Sequence, residues 1–231
     1  MWLDDFLQFG RADLLRGYRF EVKIPLDIGQ FAELRQCLYQ NGLFPRRAYD
    51  DRLVNSVYMD TFDRVDYTDN TSGIGDRIKT RFRWYGSDLS QLVLERKVKT
   101  NKASRKEIFS LKNQDNLHPG KRADADRLLQ LNRDVLPLAL IGPIFPALEV
   151  KYKRQYYTLD TDLRMTIDTD QMFKGLRPAP QSSFSKSPVH TVVEFKFPAE
   201  QRLRMQKMLQ NLPFRVFRHS KYVVGTEVSS R

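Results

Sequence analysis

Glutamate and lysine recur two positions apart four times in this chain: Glu21/Lys23 in RFEVKI, Glu95/Lys97 in LVLERKVK, Glu149/Lys151 in ALEVKYK and Glu194/Lys196 in VVEFKFP. Each copy sits in a stretch that alternates apolar and polar residues. In an extended chain residues i and i+2 face the same side, so each copy sets a carboxylate beside an ammonium. If such faces converge, they line a cavity with acids and bases together, which suits a polyanion carrying a divalent metal. The segment DRIKTRFRWYG, residues 76–86, concentrates charge further. Arg77, Lys79, Arg81 and Arg83 share one face, opposite Ile78, Thr80, Phe82 and Trp84. At about 3.4 Å per residue these cations span roughly 20 Å of one strand.

A solvated outer face is the ordinary fate of an amphipathic strand. Such faces usually mix signs, because like charges directly across two strands destabilise the pair. Here the next run adds Lys97 and Lys99 in the same alternation. Two adjacent rows of cations are best stabilised by an anion between them. Arginine supplies planar bidentate donors to phosphate oxygens and lysine a point charge, so a row of both suits a chain of phosphates. Taken singly, each glutamate neutralises its neighbouring lysine, with Glu95 the expected partner of Lys97. As a set they also offer hard oxygen ligands for magnesium or manganese, which take one or two carboxylates plus substrate phosphates.

Other chemistries lack their residues. One cysteine, Cys37, and three scattered histidines, His118, His190 and His219, give no zinc cluster. Cys37 reads as a packed thiol within a helical pattern. No Ser/His/Asp or Cys/His arrangement and no GxxxxGK[ST] loop is present. The chain has 231 residues, enough for a large core, and carries a net charge of +11. That surplus attracts anions but does not choose among them. The aromatics of 76–86 lie opposite the arginines, as core residues would, so nucleic acid is not the expected partner. The apolar run 135–148 is broken by Pro137, Pro143 and Pro146 and falls short of a membrane span. With Asp4 and Asp5 near its start the chain does not open like a secretory signal, and a cytoplasmic location is expected.

These residues need strands to position them. Alternation predicts strands at 18–26, 52–60, 76–86, 91–100, 103–110, 147–159, 162–169, 189–197 and about 220–227. Helical spacing predicts helices at 27–42, 121–134 and 199–211, with 174–188 a surface loop. The absence of a βαβ rhythm predicts an antiparallel α+β fold, and the shared chemistry of strands throughout predicts a single domain over 1–231.

Together these segments resemble the triphosphate tunnel metalloenzyme (CYTH-like) superfamily, and within it the VTC (vacuolar transporter chaperone) polyphosphate polymerase domain. The resemblance rests on YRFEVK, SVYMDT at 56–61, RIKTRFRWYG, LERKVK, Tyr152-Lys153-Arg154, RMTID at 164–168, VVEFKF and SKYVVG, in that order over nearly the whole chain. It implies an eight-stranded antiparallel barrel, open at both ends, with a triphosphate or longer chain inside. It implies catalytic roles for Lys23, Arg81, Arg83, Lys97, Lys196 and Lys221. Arg19, Arg77, Lys79, Arg154, Arg164, Ser220 and Tyr222 would grip phosphates. Glu194 would be the main ligand of Mn2+ or Mg2+, with Glu21 second. The implied reaction moves the terminal phosphoryl group of a nucleoside triphosphate onto polyphosphate, and a membrane-protein partner would supply any membrane association. One departure is visible: hydrolase and cyclase branches carry Glu-x-Glu-x-Lys on the first strand, where this chain has Arg19-x-Glu21-x-Lys23. An inorganic triphosphatase, or a binder without catalysis, is the alternative.

Overall fold

The computed structural model describes residues 19–27, 29–100, 103–113, 115–137, 143–160 and 162–230. The expected antiparallel α+β architecture is present. Its strands are β1 (Arg19–Leu26), β2 (Arg46–Asp60), β3 (Arg77–Tyr85), β4 (Asp88–Thr100), β5 (Ala103–Ser110), β6 (Phe145–Thr158), β7 (Arg164–Gly175), β8 (Ser185–Lys186) and β9 (Thr191–Pro198). They form one sheet in the order β1-β9-β7-β6-β2-β3-β4-β5, with the short β8 added against β7. The helices are α1 (Gln30–Gln40), α2 (Val65–Thr71), α3 (Arg122–Leu131), α4 (Arg202–Gln210) and α5 (Lys221–Val228).

Period-two alternation sorts the side chains into two faces. On the outer face Val22, Ile24, Phe195 and Ile167 pack with Leu34 and Leu38 of α1 and Met205 and Met208 of α4. Cys37 packs at the edge of this cluster as a free thiol. Further round the same face, Val57, Phe82, Trp84 and Leu94 pack against Ala125, Leu128 and Leu129 of α3. The inner face takes the charged partners of these residues. α5 packs there through Tyr222 against Val54, Tyr58, Val150, Tyr152 and Phe173, with Tyr67 of α2 beside it. A Cβ at Gly225 would stand 2.5 Å from Phe173 and 2.6 Å from Leu148, so glycine is what allows this helix to sit so close. A register shift between Lys151 and Lys153, beside Asp170 with its φ of 53°, lets both Asp168 and Phe173 face inward on β7.

The sheet curls strongly. In a flat sheet β1 and β4, six places apart, would lie about 29 Å from each other. Yet Lys97 Nζ of β4 stands 2.9 Å from Glu21 Oε2 of β1. Backbone pairing does not complete the circle: among the described residues β1 and β5 remain edges, so the antiparallel strands form a curled sheet of nine whose closure into the expected eight-stranded barrel is not seen.

Three expectations are corrected. The segment 220–227 is helix, not strand, because Lys221, Tyr222 and Gly225 are all buried on one side of α5. Among the described residues the expected three helices become five, since α2, with no buried residue, offers no apolar periodicity to read. Finally, β7 runs on into the stretch expected to be loop, and β8 lies within it.

Candidate phosphate-binding site

The alternation of β3 places Arg77, Lys79, Arg81 and Arg83 on the inner face, as anticipated. Pairing across strands then decides which charges meet. Arg81 lies directly opposite Glu95 on β4, and its Nε donates to Glu95 Oε2 at 2.7 Å. Lys106 of β5 reaches Glu95 Oε1 at 2.5 Å and Arg83 reaches Oε2 at 3.4 Å. Burial would raise the Glu95 carboxyl, but Arg81, Arg83 and Lys106 hold it well below the usual carboxylate range. Glu95 is therefore not the partner of Lys97, which turns across the curl to Glu21. Directly paired residues on antiparallel strands lie about 4.5–5.5 Å apart, closer than same-strand i, i+2 neighbours, so the cross-strand contact wins.

A second set centres on Asp168, which sequence reasoning did not single out. Arg154, opposite it on β6, donates from Nε and Nη2 at 2.6 and 2.7 Å, and Lys221 of α5 donates at 2.5 Å. Asp168 is 1% exposed in its side chain, and despite burial the Lys221 and Arg154 charges keep it strongly acidic. Its signal was present in the alternation Arg164, Thr166, Asp168 of the RMTID stretch. Glu194 bridges this set to β1: its oxygens lie 3.6 Å from Arg154 and 3.5 Å from Lys196, whose Nζ is also 3.9 Å from Glu21. Glu21 feels both sides. Burial and Glu194 raise it, while Lys97, Lys196 and Lys23 lower it by more.

The cations of the third set hydrogen-bond to neutral oxygens, although Glu194 and Glu21 stand near Lys23. Lys79 Nζ donates to Ser220 Oγ at 2.9 Å and Arg77 Nη1 to the Ile74 carbonyl at 2.9 Å. Lys23 Nζ donates to the His219 carbonyl at 3.1 Å. Burial, together with Lys23, Arg77, Lys97 and Arg81, drives Lys79 down to about 7. Burial with Arg77, Arg218 and Lys97 brings Lys99 down to about 8. Such suppression marks a place where another negative group would be welcomed.

The remaining sequence candidates fall as follows. Ser220 is the N-cap residue of α5 and accepts from Lys79 and from Asn70. Tyr222 is buried, stacks on Tyr58 at 5.1 Å between ring centroids, and donates its hydroxyl to Asp60. Asp60 also accepts from the backbone N–H groups of Asp66 and Tyr67, fixing the start of α2. Arg164 is exposed, opposite Lys196 in register. The side chain of Arg19 lies outside the described residues. Glu149 and Lys151 pair with each other at 3.3 Å, but on the outer face, beside His118 and a cavity of about 570 Å³ that also includes Lys174 and Phe184. That fourth copy of the motif is thus separated from the other three by the thickness of the sheet. Tyr58 and Tyr152, which sequence reasoning left unassigned, accept from Arg81 at 3.0 Å and Arg83 at 3.2 Å.

Solved structures share this arrangement of strands. The PH1819 protein of Pyrococcus horikoshii OT3 superposes with a TM-score of 0.53 at 13% identity, covering 93% of this chain and all (100%) of its own. A Bacillus halodurans protein, provisionally assigned as an adenylate cyclase, gives 0.53 at 14% identity, covering 88% of this chain and 94% of its own. A similarly assigned Vibrio parahaemolyticus protein gives 0.51 at 13%, covering 93% and 98%. At such identities the likeness is one of fold. No curated protein matches the chain in sequence. The model of the VTC domain family matches residues 18–230, from the edge of β1 to the last described residue, so every strand and helix that builds the site falls within it and the chain belongs to the VTC domain family.

Proposed function

We propose that the curled sheet acts as a tunnel for triphosphate and longer polyphosphate, and that the chain transfers a terminal phosphoryl group between nucleoside triphosphate and polyphosphate. The observation that carries this reading is the gathering of Lys23, Arg77, Lys79, Lys97 and Lys99 on one concave face, where burial and the cations Lys23, Arg77, Lys97 and Arg81 bring Lys79 down to about 7. A polyphosphate would supply the missing negative charge at closely spaced intervals, and each phosphate can take a lysine or an arginine fork.

Among the described residues no group of three or more His, Cys, Asp or Glu side chains converges to hold a metal unaided. Glu194 and Glu21, both within 3.9 Å of Lys196 Nζ, fit the other mode, in which one or two carboxylates share Mg2+ or Mn2+ with substrate phosphates. A metal bound there would neutralise charge developing on the transferred group. Lys23, Lys97 and Lys196 surround those carboxylates and are placed to turn to phosphate oxygens. Arg81 and Arg83, braced by Glu95, Tyr58 and Tyr152, hold their guanidinium groups in fixed orientations toward the same space. Arg154 and Lys221, tied to Asp168, keep α5 and Ser220 in position.

No described helix is long and apolar enough to cross a membrane. A cytoplasmic domain working with a membrane-protein partner completes the proposal. Incubation of purified protein with ATP and manganese, followed by gel electrophoresis, should yield long polyphosphate. Orthophosphate from tripolyphosphate without polymer would make the chain a triphosphatase instead. Neither product with either metal would contradict phosphoryl transfer. Glu194→Gln should abolish turnover while tripolyphosphate still binds, and surviving activity would remove Glu194 from the metal site.

A further inference from the structure

Tyrosines on the inner face fall into two groups. Tyr58, Tyr152 and Tyr222 are buried, with hydroxyls engaged by Arg81, Arg83 and Asp60. Tyr49 and Tyr85 are 61% and 36% exposed, and with Tyr156 they surround one guanidinium. Arg52 lies 5.8, 5.4 and 5.8 Å from the ring centroids of Tyr49, Tyr85 and Tyr156, and Tyr49 meets Tyr156 edge to face at 5.8 Å. Such a group is a cation–π cluster, exposed at Tyr49 and half-buried at Tyr156.

Its place in the fold is informative. Arg52 is directly opposite Arg154 in the β2–β6 register. Tyr156 follows Arg154 by two positions on the same face, about 7 Å further along the strand. Tyr85 pairs with Val54, two positions from Arg52 on β2. The cluster is thus continuous with the charged interior at Arg154. The other end of β6, at Leu148, is filled by α5, and lies about 27 Å from Tyr156 along the strand. A slender ligand whose phosphates occupy the basic interior can extend away from α5 toward these rings.

We infer that Tyr49, Arg52, Tyr85 and Tyr156 form a stacking platform for the base of a nucleoside triphosphate, an inference resting on the phosphate reading above. The phosphates enter the basic interior, the ribose spans the step past Arg154, and the base lies against the tyrosine rings. Stacking tolerates any base, because every base has a π face. The platform therefore distinguishes a nucleotide from bare tripolyphosphate without choosing among nucleotides.

Calorimetric titration of the full chain with ATP, GTP and tripolyphosphate, each without metal, tests this. Tyr49→Ala and Tyr156→Ala should each weaken ATP and GTP about tenfold, while tripolyphosphate, which has no base, binds as it does to the wild type. Tyr49→Phe, which keeps the ring, should restore nucleotide affinity. Equal weakening of all three ligands would show the rings to be structural and overturn the platform. So would unchanged nucleotide affinity in the alanine variants. If the wild type bound neither nucleotide nor tripolyphosphate, the phosphate reading itself would fall and the platform with it.

Discussion

Around Asp168 and Glu95 the inner face neutralises its cations; around Lys79 and Lys99 it does not. Asp168 takes both Arg154 and Lys221, and Glu95 takes Arg81, Arg83 and Lys106, with each carboxylate buried and strongly acidic. Burial alone would raise both carboxyls, and the paired cations more than reverse it. Lys79 is buried beside Lys23, Arg77, Lys97 and Arg81, and is brought down to about 7 although Asp66 is also near. The same residue types thus hold the sheet together in one region and leave an unmet demand for anions in the other. The neutralised region is framework, and the unbalanced region is where a substrate contributes its own charge.

Breaking the framework should have the largest effect. Asp168→Ala leaves Arg154 and Lys221 buried without their carboxylate, and should cost about 3–5 kcal/mol in urea unfolding. A loss below that of an ordinary surface change would mean the network is not structural. Gly225→Ala forces a methyl group against Phe173 and Leu148 and should cost about 1–3 kcal/mol, with Lys221 carried out of line.

The unbalanced region predicts the opposite sign. Lys79→Met removes a suppressed charge, and should stabilise the ligand-free protein by about 0.5–2 kcal/mol near pH 7 while weakening tripolyphosphate binding. The pH dependence follows from the lowered folded value, about 7 against an ordinary 10.5. Between those values the unfolded chain binds more protons than the folded one, so ligand-free stability should rise with pH through that window. Thermal unfolding should show a shallower rise in Lys79→Met. The smallest effect is expected at the outer surface: Asp126→Asn breaks the i, i+4 pair with Arg122 and should change stability by no more than about 0.5 kcal/mol.

Alternation alone makes the inner face of β3 legible, because a row of arginines and lysines opposite Phe82 and Trp84 can only be buried one way. Partner choice is not legible. Lys97 lies beside Glu95 in sequence, but pairs with Glu21, which the curl of the sheet brings across from β1. Local spacing contains no information about that curl. The helix α5 escapes local reading for a related reason: KYVVGTEV is rich in β-branched residues and reads as a strand, whereas tertiary contacts at Tyr222 and Gly225 decide its conformation. Asp168 is hidden because a single aspartate in RMTID looks like any strand polar residue until Arg154 is placed opposite.

Proton uptake on ligand binding tests the unbalanced charge most directly. ATP should be titrated into the protein at pH 8 in buffers of different ionisation enthalpy, for the wild type and for Lys79→Met. Lys79 is then mostly neutral, and a bound phosphate chain should return its proton, so the wild type should take up more protons than the variant and bind more tightly. The ligand's own titration is common to both proteins and cancels in the difference. Equal proton uptake and equal affinity would contradict the claim that phosphates bind at the Lys79 cluster.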